Sequence, residues 1–304
     1  MGNPLVSVVV IAYNSSKTIT ETLESVAAQT YSPLELIVCD DASTDDTAAI
    51  ARTWIETNQS RFVRAEVVVA EKNGGIPANL NRGISAAQGV FMKSIAADDI
   101  LLPDCIATNV RFMEEHPEAE VVFSKIREFS TMKNGEKRLS KTSVPKKPPE
   151  FFSLTPQKQH DLLLEECCIN APSGFFRTKT MKCSPYNPLY PAMEDWPKWL
   201  ELTGKGKKLF FMDEETVLYR VGDSVSSTSK STFYSARFMD SRKRFYLLEL
   251  RPELVSRGMK KLHARYDREF LRYDLVMALF DNKRTHWSSF CRHVISRFLK
   301  IFVR

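Results

Sequence analysis

Apolar runs alternate with amphipathic stretches along the first 130 residues. The amphipathic stretches place apolar side chains three and four residues apart, as at Ile19, Leu23 and Val26, and this spacing predicts helices. The apolar runs are short enough to be buried strands, which we predict at residues 6–12, 34–39, 65–70, 90–97 and 120–123. Strands and helices that alternate in this order form a parallel sheet with helices on both faces. The sequence therefore predicts an α/β protein with a Rossmann-like, doubly wound, mostly parallel sheet.

Pairs of adjacent carboxylates follow two of the predicted strands. Asp40-Asp41 follows the second strand and Asp98-Asp99 follows the fourth. Helix capping would explain the first pair without function, although Ser43 already fills that role, and a turn would explain the second. Open parallel sheets bind ligands beyond the carboxyl ends of their strands, and Mg²⁺ takes carboxylate and phosphate oxygens. We therefore expect a cleft that holds a cation and, through it, a phosphorylated ligand.

The first predicted strand-to-helix turn, Tyr13-Asn14-Ser15-Ser16, contains no glycine. Dinucleotide-binding folds and P-loops both need glycine there, because the backbone must approach a phosphate closely. The turn therefore argues against nicotinamide, flavin and ATPase functions. An aromatic ring such as Tyr13 can instead stack on a nucleobase, although a lone tyrosine at a strand end is more often structural.

Composition and length favour a globular protein of the reducing cytosol. The 304 residues are 43% hydrophobic, which is enough for one large or two smaller domains. Six cysteines form no C-x-x-C pair, so we expect neither a disulfide framework nor structural zinc. No signal peptide is evident, and no apolar run approaches the roughly 18 residues of a spanning helix. We expect a cytoplasmic protein.

The positive charge of the chain is confined to its C-terminal part. Residues 241–304 contain 16 basic and 6 acidic residues, whereas residues 1–240 carry a net charge of −4. This asymmetry suggests an anionic partner for the C-terminal part alone.

The chain changes character after the fifth predicted strand. Residues 131–160 are rich in Lys, Ser and Pro with little periodicity, which predicts an exposed, mobile loop that is either a spacer or a cover for bound substrate. A compact region resumes at residues 161–225, with a strand-like segment at 208–212. Residues 226–304 are helical and basic.

Four motifs occur in order within residues 4–225. They are VSVVVIAYN at 6–14, ELIVCDDASTDDT at 35–47, Ala97-Asp98-Asp99 with Pro103, and Glu194-Asp195 ahead of an aromatic residue and Leu200. As an ordered set they resemble the motifs of family 2 inverting glycosyltransferases with the GT-A fold. The resemblance implies a GT-A catalytic domain over residues 1–225, with a nucleotide-binding half at 1–130 and an acceptor half at 161–225.

The resemblance also implies a function and a set of site residues. The implied function is transfer of a sugar from a nucleotide-sugar donor, with a UDP-sugar expected, to a hydroxyl of a glycan or lipid-linked glycan. Asp41 would hydrogen-bond the nucleobase and Tyr13 would stack on it; Asp98 and Asp99 would hold the ribose and the Mn²⁺ or Mg²⁺ that bridges the diphosphate. The implied nucleotide-binding positions are Ala12, Tyr13, Asn14, Asp41 and Asp98.

Asp195 is the general base that the resemblance implies. It also precedes Trp196-Pro197 and a helical pattern, so a helix N-cap is the structural alternative. Glu194 is the second candidate for the base, or a group that contacts either sugar.

The sequence departs from the family pattern at two places. Ala96 stands where many members have a further Asp, and Gly222-Asp223-Ser224 occupies the stretch where many have a His. A further contact to metal or diphosphate is therefore either missing or supplied by Asp223 or Ser224.

Two other functions stay open from the sequence alone. A sugar-nucleotide nucleotidyltransferase would be expected to carry a Gly-rich loop with Arg or Lys after the first strand, which is absent. A catalytically inactive GT-A binding module is disfavoured by the presence of Asp98, Asp99 and Asp195.

The last predicted helix, within residues 285–304, is amphipathic and basic. A Trp/Phe-rich apolar face beside basic residues is typical of a helix that lies in a membrane interface. The alternatives are a helix docked on its own domain and a dimer contact. We expect an anionic membrane surface as partner, at the inner face of the cell membrane, and no nucleic acid; the oligomeric state is not indicated. The apolar stripe consists of Trp287, Phe290, Cys291, Val294, Ile295, Phe298 and Phe302.

Overall fold

The computed structural model describes residues 2–132, 134–145, 150–222 and 231–302. It divides into two compact units, the first formed by residues 1–188 and 194–221 and the second by residues 189–193 and 222–304. The predicted boundary at residue 225 lies outside the described residues, as do Asp223 and Ser224.

The first half of the first unit alternates strands and helices in the predicted order. Its elements are β1 (Val6–Ala12), α1 (Ile19–Ala27), β2 (Leu34–Asp40), α2 (Thr47–Asn58), β3 (Arg64–Val69), α3 (Ile76–Ala86), β4 (Phe91–Ala96), β5 (Ile100–Leu101), α4 (Cys105–Glu115) and β6 (Val121–Thr131). The second half adds β7 (Lys137–Leu139), α5 (Pro156–Leu163), β8 (Phe175–Arg177), α6 (Thr178–Cys183), α7 (Asp195–Gly204) and β9 (Phe210–Arg220).

The strands form one sheet in the order β3-β2-β1-β4-β8-β6-β9-β5, with β7 paired to β6. The long ladders β3-β2-β1-β4 and β6-β9 are parallel, whereas β5, β7 and β8 pair antiparallel. Ala12 lies opposite Asp40, and Ile11 lies opposite Ala96. The segments that follow β1, β2 and β4 therefore leave the sheet at one common edge.

Helices cover both faces of the parallel strands, as predicted. One face buries Val6, Val8 and Val10 of β1 in a cluster with apolar residues of α1, α2 and α4. The other face contacts α3 so closely that a Cβ atom at Gly83 would lie 2.2 Å from Val9 Cγ1 and 3.1 Å from Cys39 Sγ. Because only a residue without a side chain fits there, Gly83 determines how near α3 lies to the sheet. The doubly wound arrangement is confirmed.

Several elements of the second half differ from the prediction. The strand predicted at 120–123 continues to Thr131, and the strand-like segment at 208–212 is part of the longer β9. Residues 131–160, predicted to be a mobile loop, contain β7, a 3₁₀ turn at Glu150–Ser153 and most of α5. Phe151 and Phe152 of that turn are buried, and burial of two aromatic rings stabilises the segment. Its mobility stays a prediction.

The second unit is helical, which confirms the predicted C-terminal helical extension. It contains α8 (Ala236–Phe245), a π-helical turn (Tyr246–Leu250), α9 (Arg251–Ser256), α10 (Lys260–Phe280) and α11 (His286–Phe302). Its core is aromatic, because Tyr246 stacks on both Tyr266 and Phe270. Within the part of the chain that the structure describes, no helix combines the length and apolar content needed to cross a membrane.

Candidate active site

Two loops at the carboxyl edge of the sheet are tied together by polar side chains. The N–H of Asn14 donates to Ser43 Oγ at 2.8 Å, and the Thr44 N–H donates to Asn14 Oδ1 at 2.8 Å. The Ser15 N–H donates to Thr47 Oγ1 at 2.7 Å. Asn14 has a positive φ of 51°, a conformation that asparagine tolerates better than most residues. These bonds make the turn after β1 and the loop after β2 a single polar platform.

The platform presents Tyr13 to solvent while it buries the strand end. Tyr13 is 46% exposed and Ala12 is buried. The Ala12 carbonyl accepts the Asp41 N–H at 2.9 Å, which joins β1 to the loop that follows β2. Tyr13 is thus accessible for stacking on a planar ligand. The side-chain oxygen of Asn14 accepts the Thr44 N–H, so Asn14 helps to shape this platform.

Asp41 lies in a cradle formed by the start of α3. The carboxylate accepts the Gly74 N–H at 3.0 Å and the Gly75 N–H at 2.8 Å, and it is ion-paired with Arg82. A helix N-terminus favours a negative charge, and Asp41 is nearly inaccessible. The carboxylate is therefore held in one orientation. Asp40 points elsewhere and accepts the Ser43 N–H at 2.8 Å.

Sequence reasoning missed the partners of Asp41. Gly74, Gly75 and Arg82 are absent from the site residues predicted above. The available signal was a glycine pair just ahead of Ile76-Pro77, because such a helix start offers free N–H groups to an anion.

Asp98 and Asp99 form the turn between β4 and β5, and Arg220 at the end of β9 holds that turn. The Arg220 N–H donates to Asp99 Oδ1 at 2.8 Å, and its Nε donates to the Asp98 carbonyl oxygen at 2.8 Å. Thr22 of α1 donates its hydroxyl to the Asp99 carbonyl oxygen at 2.7 Å. Two separate elements, β9 and α1, therefore position the acidic pair.

Arg220 also binds groups on two further segments. Its guanidinium donates to Thr131 at the end of β6 and is ion-paired with Glu21 of α1. The guanidinium lies 4.4 Å from the ring centroid of Phe129, in cation–π geometry. Arg220 is thus a second residue that sequence reasoning left without a role.

The two carboxylates of this turn are shifted toward the neutral form. Burial and the adjacent Asp98 carboxylate raise the pKa of Asp99 to about 8, against opposing effects of the Arg220 N–H and the Lys93 ammonium. Burial also raises the pKa of Asp98, against the Arg220 guanidinium. Two like charges in a poorly solvated site repel each other, so the turn attracts a cation. Among the described side chains, no cluster of three or more His, Cys, Asp or Glu residues is placed to hold a metal ion.

Glu194 and Asp195 lie at the start of α7. Glu194 occupies the N-cap position without a capping hydrogen bond from its side chain, and Asp195 Oδ1 accepts the Trp196 N–H at 2.7 Å. Burial and then the neighbouring Asp195 carboxylate raise the pKa of Glu194, and burial raises the pKa of Asp195. The N-cap alternative for Asp195 therefore does not describe this helix, because the cap position belongs to its neighbour.

The acidic pairs affect the pKa values of two tyrosines, Tyr219 and Tyr186. Burial and then the carboxylates of Asp99 and Asp98 raise the pKa of Tyr219, and the Glu194 carboxylate contributes in the same direction. Burial followed by Glu194 and Asp195 raises the pKa of Tyr186. Tyr219 therefore lies within electrostatic range of Asp98, Asp99 and Glu194, and Tyr186 within range of Glu194 and Asp195.

The backbone of Tyr186 is clamped by Asn81 of α3. The amide of Asn81 donates to the Tyr186 carbonyl oxygen at 2.8 Å and accepts the Tyr186 N–H at 2.8 Å. The segment beside the α7 carboxylates is therefore anchored to the same helix whose start holds Asp41.

A sheet of this order, with carboxylates after β2 and β4 and at the start of α7, is the arrangement expected of the GT-A fold. The family description "Glycosyl transferase family 2" matches residues 7–179, more than half of the chain, and the chain belongs to this family. The matched region includes Asp41, Asp98 and Asp99 and ends before Glu194.

Individual relatives and solved structures agree with this assignment. The chain is 28% identical over 226 residues to the Escherichia coli protein named UDP-Glc:alpha-D-GlcNAc-diphosphoundecaprenol beta-1,3-glucosyltransferase WfaP, which covers 74% of this chain and 81% of that protein. It is 35% identical over 118 residues to glycosyltransferase GlyG of Streptococcus pneumoniae, which covers 39% of this chain and 38% of that protein.

A solved structure supports the fold. The crystal structure of S. aureus TarS residues 1–349 with UDP-GlcNAc matches with a TM-score of 0.57 and 21% identity, over 86% of this chain and 71% of that chain. The chain spans 43% of a longer TarS structure. The expected GT-A fold is confirmed.

Proposed function

We propose that this protein is an inverting glycosyltransferase that moves a sugar from a UDP-sugar to a hydroxyl of a glycan or lipid-linked glycan. The observation that carries the proposal is the common edge of the sheet at which β1, β2 and β4 end, which brings Tyr13, Asp41 and the Asp98-Asp99 pair to one side of the molecule. A relative adds support, because WfaP is named for a UDP-Glc donor and a diphosphoundecaprenol-linked acceptor. TarS was crystallised with UDP-GlcNAc and with UDP.

The nucleotide would bind at the platform after β1 and β2. A base stacked on the exposed ring of Tyr13 would lie beside the loop after β2, and its edge would reach Asp41 only where a base donor replaces one of the protein donors to that buried carboxylate. Since Gly74, Gly75 and Arg82 orient the carboxylate in advance, little ordering free energy is lost on binding.

Mn²⁺ or Mg²⁺ would be held by Asp98 and Asp99. Such ions are commonly bound through one or two protein carboxylates, with substrate phosphates and water completing the shell, so an adjacent pair without a third protein ligand fits this kind of site. Burial first and the Asp98 carboxylate second raise the pKa of Asp99, and a bound cation would oppose both effects. The ion would stabilise the negative charge of the departing diphosphate.

Asp195 would act as the general base. The acceptor hydroxyl gives its proton to the Asp195 carboxylate while its oxygen forms a bond to the anomeric carbon. The bond from that carbon to the diphosphate oxygen breaks, and UDP leaves with the electron pair. A positioned base contributes about 10²–10⁴-fold to the rate. Glu194, whose pKa is raised by burial and by Asp195, would be protonated at neutral pH more often than an ordinary glutamate and could donate a hydrogen bond to a sugar.

The test combines nucleotide binding with turnover. We expect UDP to bind the protein more tightly with Mn²⁺ than without it, and Asp99→Asn to remove that difference. Asp195→Asn should keep UDP affinity and lower UDP release from UDP-glucose or UDP-GlcNAc by at least 100-fold. Asp213→Asn, at an exposed position of β9, is the matched control and should change neither quantity.

Other outcomes would separate the alternatives. Pyrophosphate release from UTP and a sugar 1-phosphate would indicate a nucleotidyltransferase. Metal-dependent UDP binding with no turnover on any lipid-linked glycan acceptor tried would indicate an inactive GT-A module. Equal UDP affinity of Asp99→Asn and the parent protein in Mn²⁺ would contradict the metal assignment.

A further inference from the structure

The apolar stripe predicted on α11 is divided in two by the structure. Positions 288, 291, 295 and 299 are buried or half-buried, at the spacing of one helical face, and α11 packs along α10. The other half of the stripe is exposed to solvent, with Trp287 at 70% and Phe290 at 62%. We call this second set the exposed stripe; it comprises Trp287, Phe290, Val294 and Phe298.

The exposed stripe is a continuous surface, which distinguishes it from scattered apolar residues. Its members stand at i, i+3, i+7 and i+11, so they lie along one side of the helix. The rings of Trp287 and Phe290 stack with centroids 6.1 Å apart. Single exposed apolar residues need no explanation, whereas a contiguous aromatic row marks a surface that another apolar phase covers.

The positive charge of the C-terminal region indicates that the partner of the exposed stripe is anionic. No acidic residue follows Asp281, and residues 241–304 carry a net charge of +10. Arg297 is exposed on α11, and the guanidinium groups of Arg284 and Arg292 lie 5.8 and 5.1 Å from the ring centroid of Phe233. The unit that carries the exposed stripe is thus strongly positive, and Arg297 is a basic residue of α11 that lies beside the stripe.

A second copy of this chain fits that surface poorly, because it would bring two strongly positive regions together. An anionic bilayer offers apolar chains for the aromatic rings and phosphate groups for the arginines. Trp is also the side chain most suited to the boundary between head groups and acyl chains. The helix α11 has seventeen residues, and no described helix has the length and apolar content needed to cross a bilayer.

We propose that α11 binds the surface of an anionic lipid bilayer, with the exposed stripe inserted among the acyl chains and Arg297 at the phosphates. The proposal rests on the second unit alone and stands independently of the proposed transferase function. It would agree with the expected location at the inner face of the cell membrane, which stays a prediction.

The experiment uses the full chain and vesicles of defined composition. We expect the protein to float with vesicles of phosphatidylglycerol and phosphatidylcholine and to stay unbound with phosphatidylcholine alone. Trp54, Trp196 and Trp199 are buried, so Trp287 is the exposed member of the four tryptophans. Its emission should shift to shorter wavelength on binding, and lipids brominated on the acyl chain should quench it.

Variants test each half of the recognition. Trp287→Ser with Phe290→Ser should weaken vesicle binding more than tenfold, whereas Val63→Ser with Leu139→Ser, at exposed positions of the first unit, should leave it unchanged. Arg297→Gln should weaken binding about fivefold at low salt, the effect expected of one basic residue near an anionic surface. Arg138→Gln, on exposed β7, is its control.

Specific results would overturn the proposal. They are equal binding to vesicles with and without phosphatidylglycerol, full binding by the Trp287/Phe290 double variant, or unchanged Trp287 emission on flotation. A dimer in light scattering that the double variant abolishes, without vesicle binding by the parent chain, would assign the stripe to a contact between copies. Circular dichroism of each variant verifies that the helices are retained.

Discussion

Arg220 contacts groups from several segments of the first unit. Its backbone and side chain reach Asp99, the Asp98 carbonyl oxygen, Glu21 and Thr131. A planar guanidinium can make several directed bonds while it stacks on a ring, which an ammonium group cannot reproduce. We interpret Arg220 as a positioning residue for the acidic turn.

Arg220→Lys should therefore loosen the turn while it keeps the charge. We expect the Mn²⁺ concentration for half-maximal UDP binding to rise at least tenfold, because Asp98 and Asp99 are no longer held together. A titration of UDP affinity against Mn²⁺ measures this. The melting temperature should fall by only a few degrees.

Arg127→Lys is the matched control for that substitution. Arg127 lies on the neighbouring strand β6 and is ion-paired at 2.9 Å with Glu215, a residue that is not part of the acidic turn. Equal Mn²⁺ requirements in the two variants, or an unchanged requirement in Arg220→Lys, would show that Arg220 has only a structural part.

The start of helix α3 orients the Asp41 carboxylate of the proposed nucleotide site through several groups at once. Gly75 has a φ of 85°, a conformation that side chains with a Cβ atom adopt only with strain. That conformation aims the Gly75 N–H at Asp41 Oδ2, 2.8 Å away. The helix start and the carboxylate therefore depend on each other.

Gly75→Ala should cost about 1–2 kcal/mol of folding free energy and also weaken UDP binding about tenfold. Gly135→Ala is an informative control, since Gly135 has a φ of 84° and open space around its α-carbon. It should lose similar stability and keep UDP affinity. Denaturant melts and calorimetric titration measure the two quantities, and parallel loss of affinity in both variants would contradict the cradle.

The strands and helices that could be predicted from the sequence are those with a periodic pattern of their own. Strands β1 to β4 and their helices were predicted because each has its own pattern of apolar residues. Strand β8 has three residues and exists because β4 and β6 lie on either side of it, so no local pattern announces it. The same holds for β7, which depends on pairing with the extended end of β6.

Some residues of the candidate site were likewise predictable from the sequence, and others were not. Carboxylates at strand ends were predictable, because parallel strands deliver their ends to one edge. Arg220 lies 121 residues from the carboxylate it contacts, and Gly75 lies 34 residues from Asp41. Such partners meet only in the folded structure, so the spacing of residues along the chain could not predict them.

Distant parts of the first unit create the environment of the four carboxylates. Asp98 and Asp99 follow β4, whereas Glu194 and Asp195 begin α7, nearly one hundred residues later in the sequence. Folding removes both pairs from water and places like charges near one another, so the free energy of each ionised form rises. Activity should therefore report this environment through its dependence on pH.

The sign of that dependence follows from the roles assigned to Glu194 and Asp195. A general base works only when ionised, and the ordinary pKa values of the two groups are 4.5 and 3.8. Burial raises both, so more of the base is protonated at mildly acidic pH and kcat/KM falls as the pH decreases. We expect the acid limb of the pH profile to lie above the range of an exposed carboxylate.

Variants separate the members of this coupled pair. Glu194→Gln should retain an acid limb, because Asp195 still titrates, and Asp195→Asn should lose turnover at every pH. Measuring kcat/KM from pH 5 to 9 at saturating Mn²⁺ distinguishes the cases. An acid limb at the position of an ordinary exposed carboxylate would place the base outside the buried pair, since only a solvated group keeps its usual pKa.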